Sequence, residues 1–393
     1  MLPDFETRLR AFAEVIVRVG LNLQPGQRLL IAEPYELQGV AREAEVIVNA
    51  VRVAAATAGC PVVDVIWGDG SRLRQFAERG DGQGIGELAA TNATMMQRAI
   101  DDGAALLFLP SSQPRLMDGI PAAKVAWQHR IAWEHFGPIA QQLGQGATNW
   151  TVAPAPIPVW AQVTYSDLPS EQRLAALWTD LFAALRVDEA NPVLAWAKHL
   201  DALCVRRARL NDSRHSTLRY TGEGTDLTVT LPPEHVWCTA CLQTKAGLPF
   251  VANLPTEEIF TAPDKDSATG SVRVSRPVNY GGAIIDDLEL EFARGRVVGA
   301  KARIGDDFLQ RLLDTDEGAR RLGEVAMVES SRVPRGRLFF HPLLDENAAN
   351  HIALGEAYRF TSADPGSSAL NRSLLHLDLP VTAHLELSEL EHT

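Results

Sequence analysis

At 393 residues the chain has the length for two or three domains and a large core. Its hydrophobic content of 46% and charged content of 22% are those of an ordinary soluble globular protein, and a net charge of −12 argues against nucleic acid or an anionic membrane surface as a partner. Four cysteines make no disulfide framework, no apolar run reaches the roughly 18 residues of a membrane span, and no charged segment followed by an apolar stretch opens the chain, so a cytoplasmic location is expected.

Residues 4–19 place Phe5, Leu9, Phe12, Ile16 and Val19 at helical spacing, and Gly20 and Gln24-Pro25-Gly26 then turn the chain. Three apolar strands follow, at residues 27–32, 62–67 and 104–109, alternating with helices at 43–57, 91–102 and 125–143. Apolar strands alternating with helices predict a parallel sheet covered on both faces, so residues 1–190 read as an α/β domain of Rossmann-like type. The glycine-containing loop Gly80–Gly86 reads as a solvated connection. It is not a G-x-G-x-x-G turn between the first strand and helix, and Glu33-Pro34-Tyr35 after the first strand would repel phosphate. Pro154, Pro156 and Pro158 read as a stiff linker, followed by helices at 170–185 and 193–213.

The pattern then turns to β. Strict alternation at 216–220, 226–231, 270–275 and 288–292, with a further strand at 296–302, predicts an antiparallel, barrel-like α+β domain over residues 191–393. Cys238-Thr-Ala-Cys241 is a CxxC, but a structural zinc would need two more ligands, of which only His235 is near, and two small residues on neighbouring positions is the plainer reading.

The last third carries the chemistry. Residues 344–358 read as a helix capped by Asp345, with Asn347 and His351 one turn apart and Tyr358 two turns beyond. His376 and Asp378 share one face of a strand, and Pro380 would interrupt a central strand. Glu257-Glu258 and Glu324 add placed carboxylates. Imidazoles and carboxylates in an apolar setting suit a borderline divalent ion. Equally, a helical histidine is commonly a core or surface residue and His-x-Asp a hydrogen-bonded pair, and spacing alone does not decide between these readings.

Five segments in order resemble the aminopeptidase T and aminopeptidase S family of metallopeptidases: residues 253–263, 313–325, 345–355, Asn371 with His376-x-Asp378, and, upstream, Thr148-Asn149-Trp150 with residues 19–27. The resemblance implies a metal-dependent aminopeptidase with two divalent ions (Zn, Co or Mg), a peptide substrate and a homodimer. It implies Glu258, Glu324, His351, His376 and Asp378 as ligands, with Glu346 an additional ligand or a neighbour of the ligands. It gives Tyr358 and Glu324 catalytic roles, Tyr358 as a hydrogen-bond donor to the developing oxyanion. Glu257 is a candidate general base, or else a surface residue. Two other readings stay open: a catalytically impaired relative that binds peptide or metal, and a Rossmann-like small-molecule-binding protein whose C-terminal His and Glu are structural.

Overall fold

The computed structural model describes residues 4–33, 39–213 and 215–389. Of the Glu33-Pro34-Tyr35 stretch, only Glu33 lies within the described residues, and it is buried.

The first region is α/β. Helix α1 (Phe5–Val15) runs on as a π-helical turn to Gly20, burying Leu9, Phe12 and Val15. Strand β1 (Leu29–Ala32), a short pair β2 (Val40–Ala41) and β4 (Trp67–Gly68), and β3 (Val63–Val65) alternate with α2 (Glu45–Thr57). Then come α3 (Gly70–Arg79), α4 (Gly82–Asp101), β5 (Ala105–Phe108), α5 (Ala122–Gly144) and β6 (Trp150–Val152). The four-stranded sheet has the order β3-β1-β5-β6, and every pairing in it is parallel. Strands β1 and β5 are buried at every position, which is why they read as unbroken apolar runs.

One expectation fails here, and one strand goes unread. Residues 82–86 are not a loop but the first turn of α4: Asp81 caps it by accepting from the Gly84 amide at 2.9 Å, and this local cap prevails over three glycines. The fourth parallel strand, β6, is too short to show in the pattern. The proline-rich run after it, read as a stiff linker, is buried, with the Ala153 and Ala155 amides bonded to the Phe108 and Pro110 carbonyls. Pro158 then opens α6 (Pro158–Thr164) at its first turn.

Helices α7 (Ser170–Ala184) and α8 (Pro192–Asp212) lead into the second region, where the pairings are antiparallel. One sheet contains β7 (Thr217–Gly222), β8 (Thr225–Thr230), β12 (Thr269–Arg273), β13 (Val278–Tyr280), β14 (Ala283–Ala293), β15 (Arg296–Ile304) and β19 (His384–Ser388). A hairpin, β9 (Cys241–Gln243) with β10 (Pro249–Val251), reaches toward the first region, where Val152 and Asn253 form a parallel bridge. The remaining sheet has the order β11-β16-β17-β18: β11 (Ile259–Thr261), β16 (Leu322–Met327), β17 (His351–Gly355) and β18 (His376–Pro380). Helix α9 (Asp306–Leu313) packs on β14 and β15.

The expected helix over 344–358 is the main correction. Only α10 (Pro342–Glu346) is helical, capped at His341 rather than Asp345, and residues 351–355 are a strand buried at all five positions. Asp345 instead accepts the Phe339 and His341 amides, each at 3.0 Å, bracing the loop that precedes α10. Ile352 and Leu354 pack into the second region's core, so burial between two partner strands prevails over the helical preference of Ala and Leu. Gly355 has φ +100°, and a Cβ there would lie 2.0 Å from the Leu375 carbonyl, so only glycine closes this strand. Strand β18 is an edge of its sheet and Pro380 is its last residue, a position that asks no ladder donor of it.

Candidate metal centre

Three strands and one loop converge on a buried polar cluster. Glu258 immediately precedes β11, Glu324 lies in β16, His351 begins β17, and His376 and Asp378 lie in β18. The register aligns them. Ala353 is the partner of Glu324 on one side and Asp378 on the other, and Gly355 is the partner of His376. A bulge between Leu322 and Glu324 adjusts β16 just where the carboxylate emerges. Because the residue between Glu324 and Asp378 carries only a methyl group, the two carboxylates stand over a shallow floor.

The distances define two halves. His351 Nε2 lies 3.0 Å from Glu258 Oε2 and 3.4 Å from Glu324 Oε1. His376 Nε2 lies 3.3 Å from Asp378 Oδ1 and 3.9 Å from Glu324 Oε2. Glu324 therefore spans the halves, one oxygen toward each imidazole. Glu258, Glu324 and His351 present ligand atoms all within 4.8 Å of one another. Glu346, at the end of α10, lies near enough to Asp378 to feel its charge and accepts from the Asn347 side-chain amide at 3.3 Å through Oε1.

Both histidines are fixed from behind. His351 Nδ1 faces the Ala349 carbonyl at 3.3 Å, and His376 Nδ1 faces the Glu356 carbonyl at 2.9 Å. A carbonyl accepts only from N–H, so each Nδ1 carries its proton and each Nε2 is turned into the cluster. This is the arrangement that metal-binding histidines use to fix tautomer and ring orientation. His351 Nε2 and Glu258 Oε2 approach to 3.0 Å, yet neither atom makes a hydrogen bond of proper geometry.

The electrostatics ask for cations. Four carboxylates share the cluster, and among the described residues no Arg or Lys pairs with any of them. Burial, reinforced by the Asp378 and Glu258 charges, pushes Glu346 well above the usual carboxylate range. Burial also raises Glu324, against the opposing effect of His351. For His351 burial acts downward but is overcome by Glu258 and Glu324, leaving its pKa well above normal. His376, likewise opposed by burial, is raised to about 9, chiefly by Asp378. Asp378 is held low because His376 and His351 outweigh its burial. Without other cations the cluster thus keeps its own protons as counter-charge, and the donor set of imidazole nitrogen and carboxylate oxygen fits divalent ions.

Each residue implied by the resemblance can be placed. Glu258, Glu324, His351, His376 and Asp378 come together, with Glu346 beside Asp378. Tyr358 does not share a helix face with His351. It follows β17, and its ring lies 5.2 Å from that of His376 and is stacked on Phe360 at 5.3 Å. Glu257 is neither on the surface nor in the cluster. It is buried and gripped by Arg186, at 2.9 Å to Oε1 and 3.0 Å to Oε2, with His199 Nε2 3.3 Å from Oε2. A carboxylate clamped by a guanidinium is a poor base. Its backbone N–H donates to Asn347 Oδ1 at 2.7 Å, tying the loop that carries Glu258 to the end of α10. That role was hidden in sequence because Arg186 lies 71 residues away. Cys238 and Cys241 are free thiols pushed up by burial to about 12 and about 11, which suits neither metal binding nor redox work.

Comparison with known proteins agrees with this geometry. Residues 5–386 match the family model described as thermophilic metalloprotease (M29). Aminopeptidase T of Thermus thermophilus is 38% identical over 388 residues, covering 96% of this chain and 93% of the relative. Aminopeptidase AmpS of Bacillus subtilis is 34% identical over 390 residues, covering 97% and 93%. The solved structure of wild-type AmpT from Thermus thermophilus superposes with a TM-score of 0.87 at 36% identity, covering 98% of this chain and 96% of that one. The ordered segments that suggested the resemblance, the metal-ready cluster and these full-length matches agree: the chain belongs to the thermophilic metalloprotease (M29) family.

Proposed function

We propose that the protein is a metal-dependent aminopeptidase, removing N-terminal residues from peptides at a centre for two divalent ions. Glu258 and His351 would hold one ion, His376 and Asp378 the other, and Glu324 would bridge them. The observation that carries this reading is the pair of imidazoles, each pinned through Nδ1 with Nε2 turned onto a carboxylate that, among the described residues, no Arg or Lys neutralises. Imidazole and carboxylate donors suit Zn²⁺ or Co²⁺, with Mg²⁺ the harder alternative. Two such ions would supply Lewis acidity for the scissile carbonyl and for the attacking water.

The chain's own residues do the rest. Glu346, buried beside Asp378, would take the proton of the attacking water and deliver it to the leaving amine once the ions answer the neighbouring carboxylates. The Tyr358 phenol, beside His376, donates to the oxygen of the tetrahedral intermediate. The surplus of carboxylates attracts a protonated α-amine, which is the feature an aminopeptidase must recognise. The resemblance further supports a homodimer, and among the described residues no helix is long and apolar enough to cross a membrane. A division near residue 190 falls between α7 and α8.

The test is hydrolysis of an aminoacyl-p-nitroanilide panel by protein reconstituted with Zn²⁺, Co²⁺ or Mg²⁺, with elemental analysis of the same sample. Turnover with about two ions per chain is expected. Two ions without turnover would favour the impaired relative, and neither ions nor turnover would overturn the reading.

A further inference from the structure

Beyond the carboxylate cluster lies a cavity of about 1210 Å³, between the ends of α1 and α5, helix α8, the β9–β10 hairpin and the segment after Tyr358. That exceeds the ~300–1,000 Å³ of ordinary small-ligand pockets. Its walls carry four cations, Arg18, Arg207, Lys245 and Arg359, and no Asp or Glu, in a chain of net charge −12. Arg18 is paired on the surface with Glu14. Arg207 and Lys245 have charge to offer. Among the described residues, the side chains of Arg207 and Lys245 make neither an ion pair nor a hydrogen bond. Arg359 is committed elsewhere: its Nη2 donates to the Asn371 carbonyl at 2.6 Å and pairs with Glu356 at 3.4 Å, and its Nη1 is buried with no acceptor. Arg207 is half-buried and Lys245 exposed at the rim, so the wall offers positive charge that no carboxylate of the cavity answers.

The cavity adjoins the metal centre. Phe360 lines it, stacks on Tyr358 with 18° between the ring planes, and is separated by that one ring from His376. The two ring-to-ring steps are 5.2 and 5.3 Å. An extended peptide advances ~3.3–3.6 Å per residue, so about three residues carry a chain from His376 past Tyr358 to Phe360.

We infer that this cavity receives the C-terminal carboxylate of the peptide whose N-terminal residue sits at the metal centre. The protein is then selective for short peptides, about three to five residues long, with a free carboxyl terminus. The Arg207 guanidinium suits bidentate capture of a carboxylate, and Lys245 at the rim adds a mobile point charge. This inference rests on the aminopeptidase reading and adds the substrate class to it.

The experiment compares kcat/KM of the metal-loaded protein on leucine p-nitroanilide, which has no carboxylate, and on di- to hexapeptides supplied as free acids and as C-terminal amides. The wild type is expected to prefer free-acid tri- to pentapeptides over their amides by about ten- to a hundredfold, expressed in KM. In Arg207→Gln and Lys245→Gln that preference shrinks toward unity, while the amides and the p-nitroanilide report the chemistry separately. Equal rates for acids and amides at every length would overturn the inference, as would variants that slow acids and amides alike. Should the p-nitroanilide not turn over, the aminopeptidase reading fails by itself. Calorimetric binding of the same peptides to wild type and Arg207→Gln then decides the cavity: tighter binding of acids, lost in the variant, supports it, and equal binding of acids and amides overturns it.

Discussion

Replacing Arg186 by methionine isolates the contact that holds the Glu258 loop. The guanidinium makes a two-pronged pair with Glu257 at 2.9 and 3.0 Å, with the Arg186 and Glu257 side chains only 9% and 2% exposed. Arg186→Met keeps the apolar stem and removes the charge, leaving Glu257 buried. His199 Nε2, 3.3 Å from Glu257, is turned to the Thr256 carbonyl at 2.8 Å and is a poor replacement for the two-pronged guanidinium. Breaking a buried pair from one side costs ~3–5 kcal/mol. At ~2.1 cal/mol/K per residue of unfolding entropy, that loss lowers Tm by about 4–6 °C for a chain of this length unfolding as one unit. The double variant Arg186→Met/Glu257→Gln removes both charges and is expected to recover most of the loss, giving a coupling energy by double-mutant cycle. Since the Glu257 amide bonds Asn347 beside Glu346, loosening it should also weaken divalent-ion binding about 10–100-fold. Urea unfolding and calorimetric titration with Zn²⁺ read the two effects. A single variant within about 1 kcal/mol of wild type, or a double variant no better than the single, would refute the reasoning.

Glu324→Gln keeps shape but removes the charge that spans both imidazoles; turnover should fall at least about a hundredfold with the near-ultraviolet circular dichroism unchanged, and full activity would sink the site assignment. Chelation should abolish hydrolysis and lower Tm, since four carboxylates lose their counter-charge, and added Zn²⁺ or Co²⁺ should restore both; a Tm indifferent to the chelator would count against the centre. Stability should also fall with acid through His129, which burial pushes down from 6.5 to about 4. Between those values the unfolded chain binds a proton that the folded one refuses, so stability is full above about pH 6.5 and lost toward pH 4, by about 2–3 kcal/mol from pH 7 to pH 4.5. Asp345, pushed up by burial to about 6, titrates with the opposite sign, so the measurement is the difference in urea stability between wild type and His129→Gln across that range. A difference that does not change with pH would contradict it.

What was legible in the sequence divides by the range of the forces involved. Strands β1 and β5 were readable because burial on both faces demands four consecutive apolar residues, a purely local signature. Helices α5, α7 and α8 carried their own periodicity. The stretch 344–358 misled because its local composition, rich in Ala and Leu, favours a helix, whereas its state is set by the flanking strands β16 and β18. Neither neighbour is visible in that window. Residues 82–86 failed the other way, since glycines suggested a loop while the Asp81 cap and the helix beyond it prevailed.

The misreading of 344–358 bears on the chemistry. On a helix, His351 and Tyr358 would have been aligned by the 3.6-residue repeat alone. On the actual strand, His351 faces the cluster because β17 lies between Glu324 and Asp378, with Ala353 as the shared floor. Tyr358 reaches His376 only because the chain leaves the sheet at Gly355, whose positive φ no other residue adopts easily. The residue types of the cluster were therefore recoverable from sequence, as His, Glu and Asp within ordered family segments. Their geometry depends on a cross-strand register spanning residues 258 to 378. Small residues at positions 353 and 355, which carry no chemistry of their own, are what allow five charged side chains to meet there.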